Sequence, residues 1–306
     1  MIAISTTWNY SENCNLAQMF SGIRKLGIKA VELGYNFTAE RLNEITPILA
    51  ASGISVVSVH NFCPLPAQNL FHRFFTNYYY LSALAESERA CAVKYTKQTI
   101  DTAAKLNAKI VIIHAGTIEM ETKYIKELIG LYNQGKIDSE EADSLRKEIL
   151  KFREEKKQPY LDSAMKSLEE ITEYAFQKNI KIGLENRYYP NEIPNNEEIG
   201  FFLKKLSGKG LLYWHDTGHA MAQEHLGTME KDSLLSNFGN YLFGFHLHGI
   251  KGLRDHLSPT NGDFDSSQVS AHLARQDLLK VIEAHQPTES RELIETMQYF
   301  GQRGWL

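Results

Sequence analysis

The stretch Leu211 to Ala220 reads LLYWHDTGHA, an apolar run that breaks into His215, Asp216 and His219 within five positions. Imidazole and carboxylate groups bind divalent cations and exchange protons near neutral pH, so a run that ends this way has the residues of a metal or proton-transfer site. The pattern recurs along the chain. Apolar runs end in turn on Glu32, His60, His114, Glu185, Asp216, His246 and Glu283, and His219 and His256 sit in the loops that follow two of them. One polar residue at the end of a run serves as a cap or a turn. Seven runs that each end on a carboxylate or an imidazole make a set of ligand types. Glu185, Asp216 and Glu283 gathered without a cation would raise one another's pKa steeply, and a divalent metal removes that conflict. With His246 they offer an oxygen-rich set with one imidazole and no thiolate, which suits Mn, Zn, Mg or Co and disfavours soft-metal sites.

The elements that must bring these residues together are short β-branched runs, each followed by a segment of helical period. IAIS (Ile2 to Ser5) precedes Leu16, Met19, Phe20, Ile23 and Leu26 on one helical face, and AVEL (Ala30 to Leu33) leads to a helix from Ala39. ISVVSV (Ile54 to Val59) leads to a long helix carrying Ala90, Val93, Ile100 and Ala104. KIVII (Lys109 to Ile113) precedes Leu161, Met165, Leu168, Ile171 and Ala175 in phase, and KIGLE (Lys181 to Glu185) precedes a segment from Asn196. LLYW (Leu211 to Trp214), LFGFHL (Leu242 to Leu247) and LLKVIE (Leu278 to Glu283) bring the count to eight, the last followed by Leu293, Ile294, Met297 and Phe300 at helical spacing.

Eight nearly continuous apolar strands alternating with helices predict an α/β protein, a (β/α)8 TIM barrel whose parallel sheet closes on itself under a layer of helices. In such a barrel the carboxyl ends of the strands converge, which would gather the residues named above. Residues 1–306 are read as a single domain, because barrels run to this length as one unit and no linker, low-complexity tract or clean repeat divides the chain. Two segments exceed simple connections. Thr117 to Pro159, which contains SEEADSLRKEILKFREEKK, predicts a helical insertion after strand 4 in the form of an exposed helical pair. Asn61 to Ala85 carries Phe71, Phe74, Phe75 and Tyr78 to Tyr80, and serves either as a wall or lid of the site or as packing of the loop on its neighbours.

With 43% hydrophobic and 23% charged residues the composition is that of a globular protein with a sizeable core. The net charge of -4 gives no global attraction for nucleic acid or an anionic membrane. No apolar run approaches membrane-spanning length, and MIAISTTWNY has neither the basic region nor the apolar segment of a leader, so the expected compartment is cytoplasmic. Cys14, Cys63 and Cys91, odd in number and without metal-like spacing, are expected to be plain thiols.

The residues LENR at Glu185, HDTGHA at Asp216 and His219, FHLHG at His246, DHLSPTNGDFD around His256 and VIEAH at Glu283 form a series. It resembles the motif series of the xylose isomerase-like TIM barrels, which join sugar isomerases and epimerases with the endonuclease IV family. The resemblance covers nearly the whole chain. It implies that Glu185, Asp216, His246 and Glu283 hold one divalent metal and that the two glutamates exchange a substrate proton. In the endonuclease branch two further sites are built at positions like His60 and His114, and like His219 and His256, and this chain has residues for both. It departs from the pattern at Gly249, where an aspartate often follows the HLH segment, and at Arg254, Asp255 and His256, where the acidic residue is displaced by one position. DNA-intercalating loops have no counterpart here.

Strand alternation turns His215 away from the axis if Asp216 faces it, while helix N-capping is the structural alternative for Asp216. Alternation lets both His246 and His248 face inward; the resemblance selects His246 as ligand and leaves His248 for substrate. Glu32 is read as a structural or substrate-bonding group. The chemistry expected is proton transfer next to a carbonyl in a sugar or sugar-like polyol, with Glu185 and Glu283 moving the proton and His219 and Arg187 holding oxygens. The alternative is a multi-metal hydrolase of a phosphodiester or phosphorylated small molecule, which needs His60 and His114 as ligands. A non-catalytic sugar-binding or self-pairing barrel is a third reading, and it predicts no retained metal. The expected partner is a small sugar or polyol rather than nucleic acid or a membrane, and a homo-oligomer is compatible with the sequence.

LIET at Glu295 mimics the motif around Glu283, but the period of Leu293, Ile294, Met297 and Phe300 makes that segment helical. Glu283→Gln is expected to strip most bound metal and Glu295→Gln to leave it unchanged, as read by metal content per chain.

Overall fold

The apolar runs lie side by side in chain order. In the computed structural model β1 (Ile2–Ser5), β2 (Ala30–Leu33), β3 (Ser55–His60), β4 (Ile110–Ile113), β5 (Lys181–Glu185), β6 (Leu211–Asp216), β7 (Leu242–Leu247) and β8 (Leu279–Ile282) form a closed barrel. All eight pairings are parallel. The structure describes residues 1–68, 73 and 75–306, with the side chains of Phe75, Ser266 and Gln268 also left aside. Phe71 and Phe74 of the aromatic loop therefore lie outside the described residues. Strand burial on both faces accounts for the near-continuous apolar sequence. Among the described residues no helix is long and apolar enough to cross a membrane.

Period-two alternation fixes what faces the axis. Ala3, Ala30, Ile110, Ile112, Trp214, Leu279 and Val281 meet in one interior cluster. The next inward positions on the same strands are Glu32, His114, Asp216 and Glu283. Trp214 is fully buried and forms the floor beneath them, its ring 5.2 Å from that of His246 and edge-on to it. The neighbouring strands make room for the indole with glycines. A Cβ on Gly244 would stand 2.4 Å from Trp214 Cζ3 and 2.8 Å from the Leu279 carbonyl oxygen.

The differences from the sequence reading have local causes. β6 runs on past Trp214 to Asp216, because His215 and Asp216 pair with Phe245 and His246 of β7. The insertion does not end at Pro159: one helix spans Glu140–Gln177 with Pro159 inside it. An internal proline costs a helix about 3 kcal/mol. Here burial outweighs it, since Leu161, Ala164, Leu168, Ile171 and Ala175 pack in the main core. The amino-terminal half packs with Lys123–Asn133 through Ala142, Ile149, Leu128 and Leu131, and Leu226 joins them, so the pair is partly buried rather than a free surface arm. A buried Arg153–Glu198 ion pair at 2.6 Å ties that helix to Asn196–Leu206. In Ser290–Gln302, Leu293, Thr296 and Phe300 are buried, whereas Ile294 is 43% exposed. In the aromatic loop Tyr79 stacks on Tyr95 at 5.4 Å and Phe62 meets both edge-on, which packs the described part of the loop onto helix Glu86–Lys105.

The floor generates a paired expectation for chemical denaturation. Gly244→Ala forces its Cβ into Trp214 and should destabilise by about 1–3 kcal/mol. Gly130→Ala, on a helix where the Cβ meets nothing within 4 Å, should stabilise by about 0.5–1 kcal/mol.

Candidate metal centre at the barrel mouth

Alternation and closure bring Glu185, Asp216, His246 and Glu283 together, each buried, with ligand atoms all within 4.8 Å of one another. His246 organises the group. Its Nε2 lies 3.0 and 3.2 Å from the two Glu32 oxygens, and Ser58 Oγ donates to Glu32 Oε2 at 2.8 Å. A carboxylate behind Nε2 places the proton there and leaves Nδ1 for the other side. Nδ1 is buried without a hydrogen bond, yet it stands 3.0 Å from Glu283 Oε2, 3.5 Å from Glu185 Oε1 and 3.8 Å from Asp216 Oδ2. A bare nitrogen among three anionic oxygens needs a cation, either a proton or a metal ion. Burial opposes the proton, but Glu283, Glu32 and Glu185 raise His246 well above the ordinary imidazole value. The donor set fits a divalent ion of the kind inferred from the sequence.

Asp216 is both a helix cap and a member of this group. Its Oδ1 accepts from the His219 backbone N–H at 2.7 Å, capping Thr217–His225, while Oδ2 faces His246. Two carboxylate oxygens let the two roles coexist. His248 Nε2 reaches both Asp216 oxygens at 2.9 and 3.0 Å, and its Nδ1 accepts from the His256 N–H at 2.9 Å. That acceptor role puts the His248 proton on Nε2, facing Asp216. The ring fits because position 218 is glycine: a Cβ there would lie 2.1 Å from His248 Cε1. Asn186 brackets Asp216, accepting from its N–H at 2.8 Å and donating to its carbonyl at 2.9 Å. His215 faces outward against Tyr213, whose hydroxyl is 2.6 Å from its Nδ1.

Glu185 presents its second oxygen elsewhere, with Oε2 3.2 Å from His114 Nε2 and 3.4 Å from His60 Nε2. His60, His114 and Glu185 thus form a second ligand group that shares Glu185 with the first. Burial raises the Glu185 carboxyl, but His114 and His246 outweigh it and hold it well below the usual range. Arg187 bonds Glu192 at 2.8 Å and leaves Nη1 3.7 Å from Glu185 Oε1, buried and without a hydrogen bond. His219 Nδ1 stands 3.2 Å from Glu185 Oε1 and 3.1 Å from the Asn186 carbonyl. Burial opposes its protonation, yet Asp216 and Glu185 lift it to about 9.

The absence of an aspartate at position 249 has a steric explanation. A Cβ at Gly249 would meet Gly262 Cα at 2.8 Å, so no aspartate fits there. The hairpin of Gly249–Lys251 and Arg254–Leu257 instead brings Asp255 to 3.2 Å from His256 Nδ1 and 3.9 Å from His219 Nε2. His219, His248 and His256 approach one another, but His248 and His256 are stacked at 4.3 Å and 8°. An ion about 2 Å from an imidazole nitrogen lies near that ring's plane, so parallel rings do not share one. Residues not singled out from the sequence complete the mouth: Ser58, Asn186, His285, and Tyr35, whose ring meets His60 edge-on at 5.2 Å. Their polarity was legible, but their partners depend on the closed barrel.

A closed parallel barrel with acidic and imidazole side chains converging at its strand ends is a TIM barrel whose mouth carries candidate metal ligands. The sequence matches the family described as xylose isomerase-like TIM barrel over residues 20–300, and the chain belongs to that family. No curated protein sequence matches it significantly. Solved structures share the fold at low identity. The 3-keto-D-glucoside 4-epimerase YcjR from E. coli aligns with a TM-score of 0.67 at 12% identity over 98% of both chains. D-psicose 3-epimerase from Clostridium cellulolyticum H10, solved with D-tagatose, aligns at 0.68 and 13% over 99% of both. An IolI protein solved with a zinc atom aligns at 0.65 and 14%, over 99% of this chain and 97% of that one.

Glu32 does not face the shared space, yet it sets which His246 nitrogen does. Glu32→Gln should weaken metal affinity by about 10- to 100-fold with the fold intact, as measured by chelator competition beside circular dichroism.

Proposed function

We propose that the protein is a divalent-metal-dependent isomerase or epimerase that moves a proton next to the carbonyl of a sugar or sugar-like polyol. The observation that carries the reading is the pair Glu185 and Glu283 meeting across His246 with Asp216 beside them. The epimerases that share the fold support the sugar class. Glu185, Asp216, His246 and Glu283 would hold the ion, which supplies neutralisation of the charge that develops on the carbonyl oxygen. Glu283 turns Oε2 toward His246, which leaves Oε1 to take or return a carbon-bound proton. Glu185 acts from the opposite side, its Oε2 in contact with His60 and His114, which can accept or supply that proton in turn. His219 and the open Nη1 of Arg187 orient substrate oxygens. His248 and Glu32 position Asp216 and His246.

A second reading has its own observation. His60 and His114 share Glu185 with the first group, so a second ion would have ligands of its own beside the first. Two or three divalent ions would suit hydrolysis of a phosphodiester or phosphorylated small molecule. His219 and His256 would then face a further ion with Asp255.

Incubation with ketoses in heavy water separates the readings. The isomerase should place deuterium beside the carbonyl in its Mn or Zn form, and Glu283→Gln should reduce that labelling by at least about 100-fold, the lower range for a positioned acid–base group. Unlabelled sugars together with cleavage of a model phosphodiester that His60→Ala abolishes would replace the isomerase with the several-metal hydrolase.

A further inference from the structure

His285 lies at the mouth but belongs neither to the Glu185, Asp216, His246 and Glu283 group nor to the His60, His114 and Glu185 group. It follows Glu283 by two positions, past the end of β8 at Ile282. Its backbone N–H donates to the His256 carbonyl at 2.9 Å, and its ring stacks on that of His256 at 3.9 Å and 11°. His256 stacks in turn on His248, so three imidazoles form one pile at the mouth. The segment beyond is pinned. Trp8 Nε1 donates to the Thr288 carbonyl at 2.9 Å, Gln286 Nε2 to the Trp8 carbonyl at 2.6 Å, and the Thr288 N–H to the His285 carbonyl at 2.9 Å.

Within this fixed frame one atom is left over. His285 Nε2 is buried and has no hydrogen-bond partner among the described residues, which is costly for a polar group unless something else meets it. His256, Glu283 and His285 bring ligand atoms within 4.8 Å of one another, but the parallel His256 and His285 rings do not share an ion. Asp255 is engaged with His256 at 3.2 Å and does not serve His285.

We propose that His285 is a specificity-determining residue whose Nε2 hydrogen-bonds a substrate hydroxyl. The inference rests on the sugar isomerase reading and names the part of the substrate recognised. The reacting carbon would sit beside Glu283, whose ligand oxygen lies within 4.8 Å of a His285 ring nitrogen, so the hydroxyl that reaches His285 belongs to a carbon close to the reacting one. A ketose with a free hydroxyl there gains the contact, and a deoxy ketose lacking it does not.

The test uses His285→Phe, which keeps a stacked ring without the nitrogen, and His285→Gln, which restores a polar Nε2. Metal content, calorimetric Kd for D-tagatose, D-fructose and xylitol, and the KM and kcat of deuterium exchange are measured on the metal-loaded protein. His285→Phe should raise Kd and KM by about 3- to 10-fold, the range for one neutral hydrogen bond, with kcat and metal content within about twofold of wild type. His285→Gln should recover part of that loss. Unchanged Kd and KM in His285→Phe overturn the proposal while leaving the isomerase reading in place, and loss of metal from a folded His285→Phe overturns it by making the ring part of the metal site. Polyol binding that depends on His285 without any exchange keeps the contact and removes the isomerase reading. A wild-type protein that binds none of the three polyols overturns both.

Discussion

A single bare nitrogen, Nδ1 of His246, sets the terms for the barrel mouth. Glu32 holds the opposite ring nitrogen, and three carboxylates crowd the bare one, the nearest at 3.0 Å. Anionic oxygens at that distance repel one another and the nitrogen lone pair unless a cation lies among them. Every neighbouring feature keeps this arrangement from relaxing. Asn186 clamps the Asp216 backbone, His248 donates to the Asp216 carboxylate, and Trp214 closes the space beneath. Groups held this rigidly bind an ion with little reorganisation.

The same constraint explains where the chain dispenses with side chains. Gly218 admits the His248 ring against the start of its helix, Gly244 admits Trp214, and Gly249 meets Gly262 backbone to backbone. The hairpin that begins there brings Asp255 to His219 and His256. The carboxylate near those histidines, Asp255, stands one position from where the family pattern has it.

Both proposed chemistries turn on Glu185, which has two usable oxygens. Oε1 faces His246 and the four-residue group; Oε2 faces His60 and His114. With one ion the histidine pair is free to handle protons, and with two it becomes part of the metal shell. The difference lies in occupancy and in the charge of the substrate, not in the fold. A neutral polyol suits a singly occupied centre, whereas the charge of a phosphate is better matched by two ions.

The sequence by itself determined the barrel, because eight buried strands must read as apolar runs and the helices between them must show a 3.6-residue period. It also determined which residues face the axis, since side chains alternate along a strand: Trp214 and Asp216 inward, His215 outward. What it left open depended on contacts between residues distant in the chain. Whether Asp216 caps a helix or joins the cluster had no answer in LLYWHDTGHA; the fold assigns one oxygen to each. The partners of Glu32 and the three-ring stack of His248, His256 and His285 appear only once the barrel closes and the hairpin lies over it. The helix through Pro159 was likewise decided by packing, because local propensity is worth a few kcal/mol at most and the apolar contacts on both sides of the proline exceed it. Periodicity records which face of an element is buried, and the identity of the neighbour across that face is a tertiary fact.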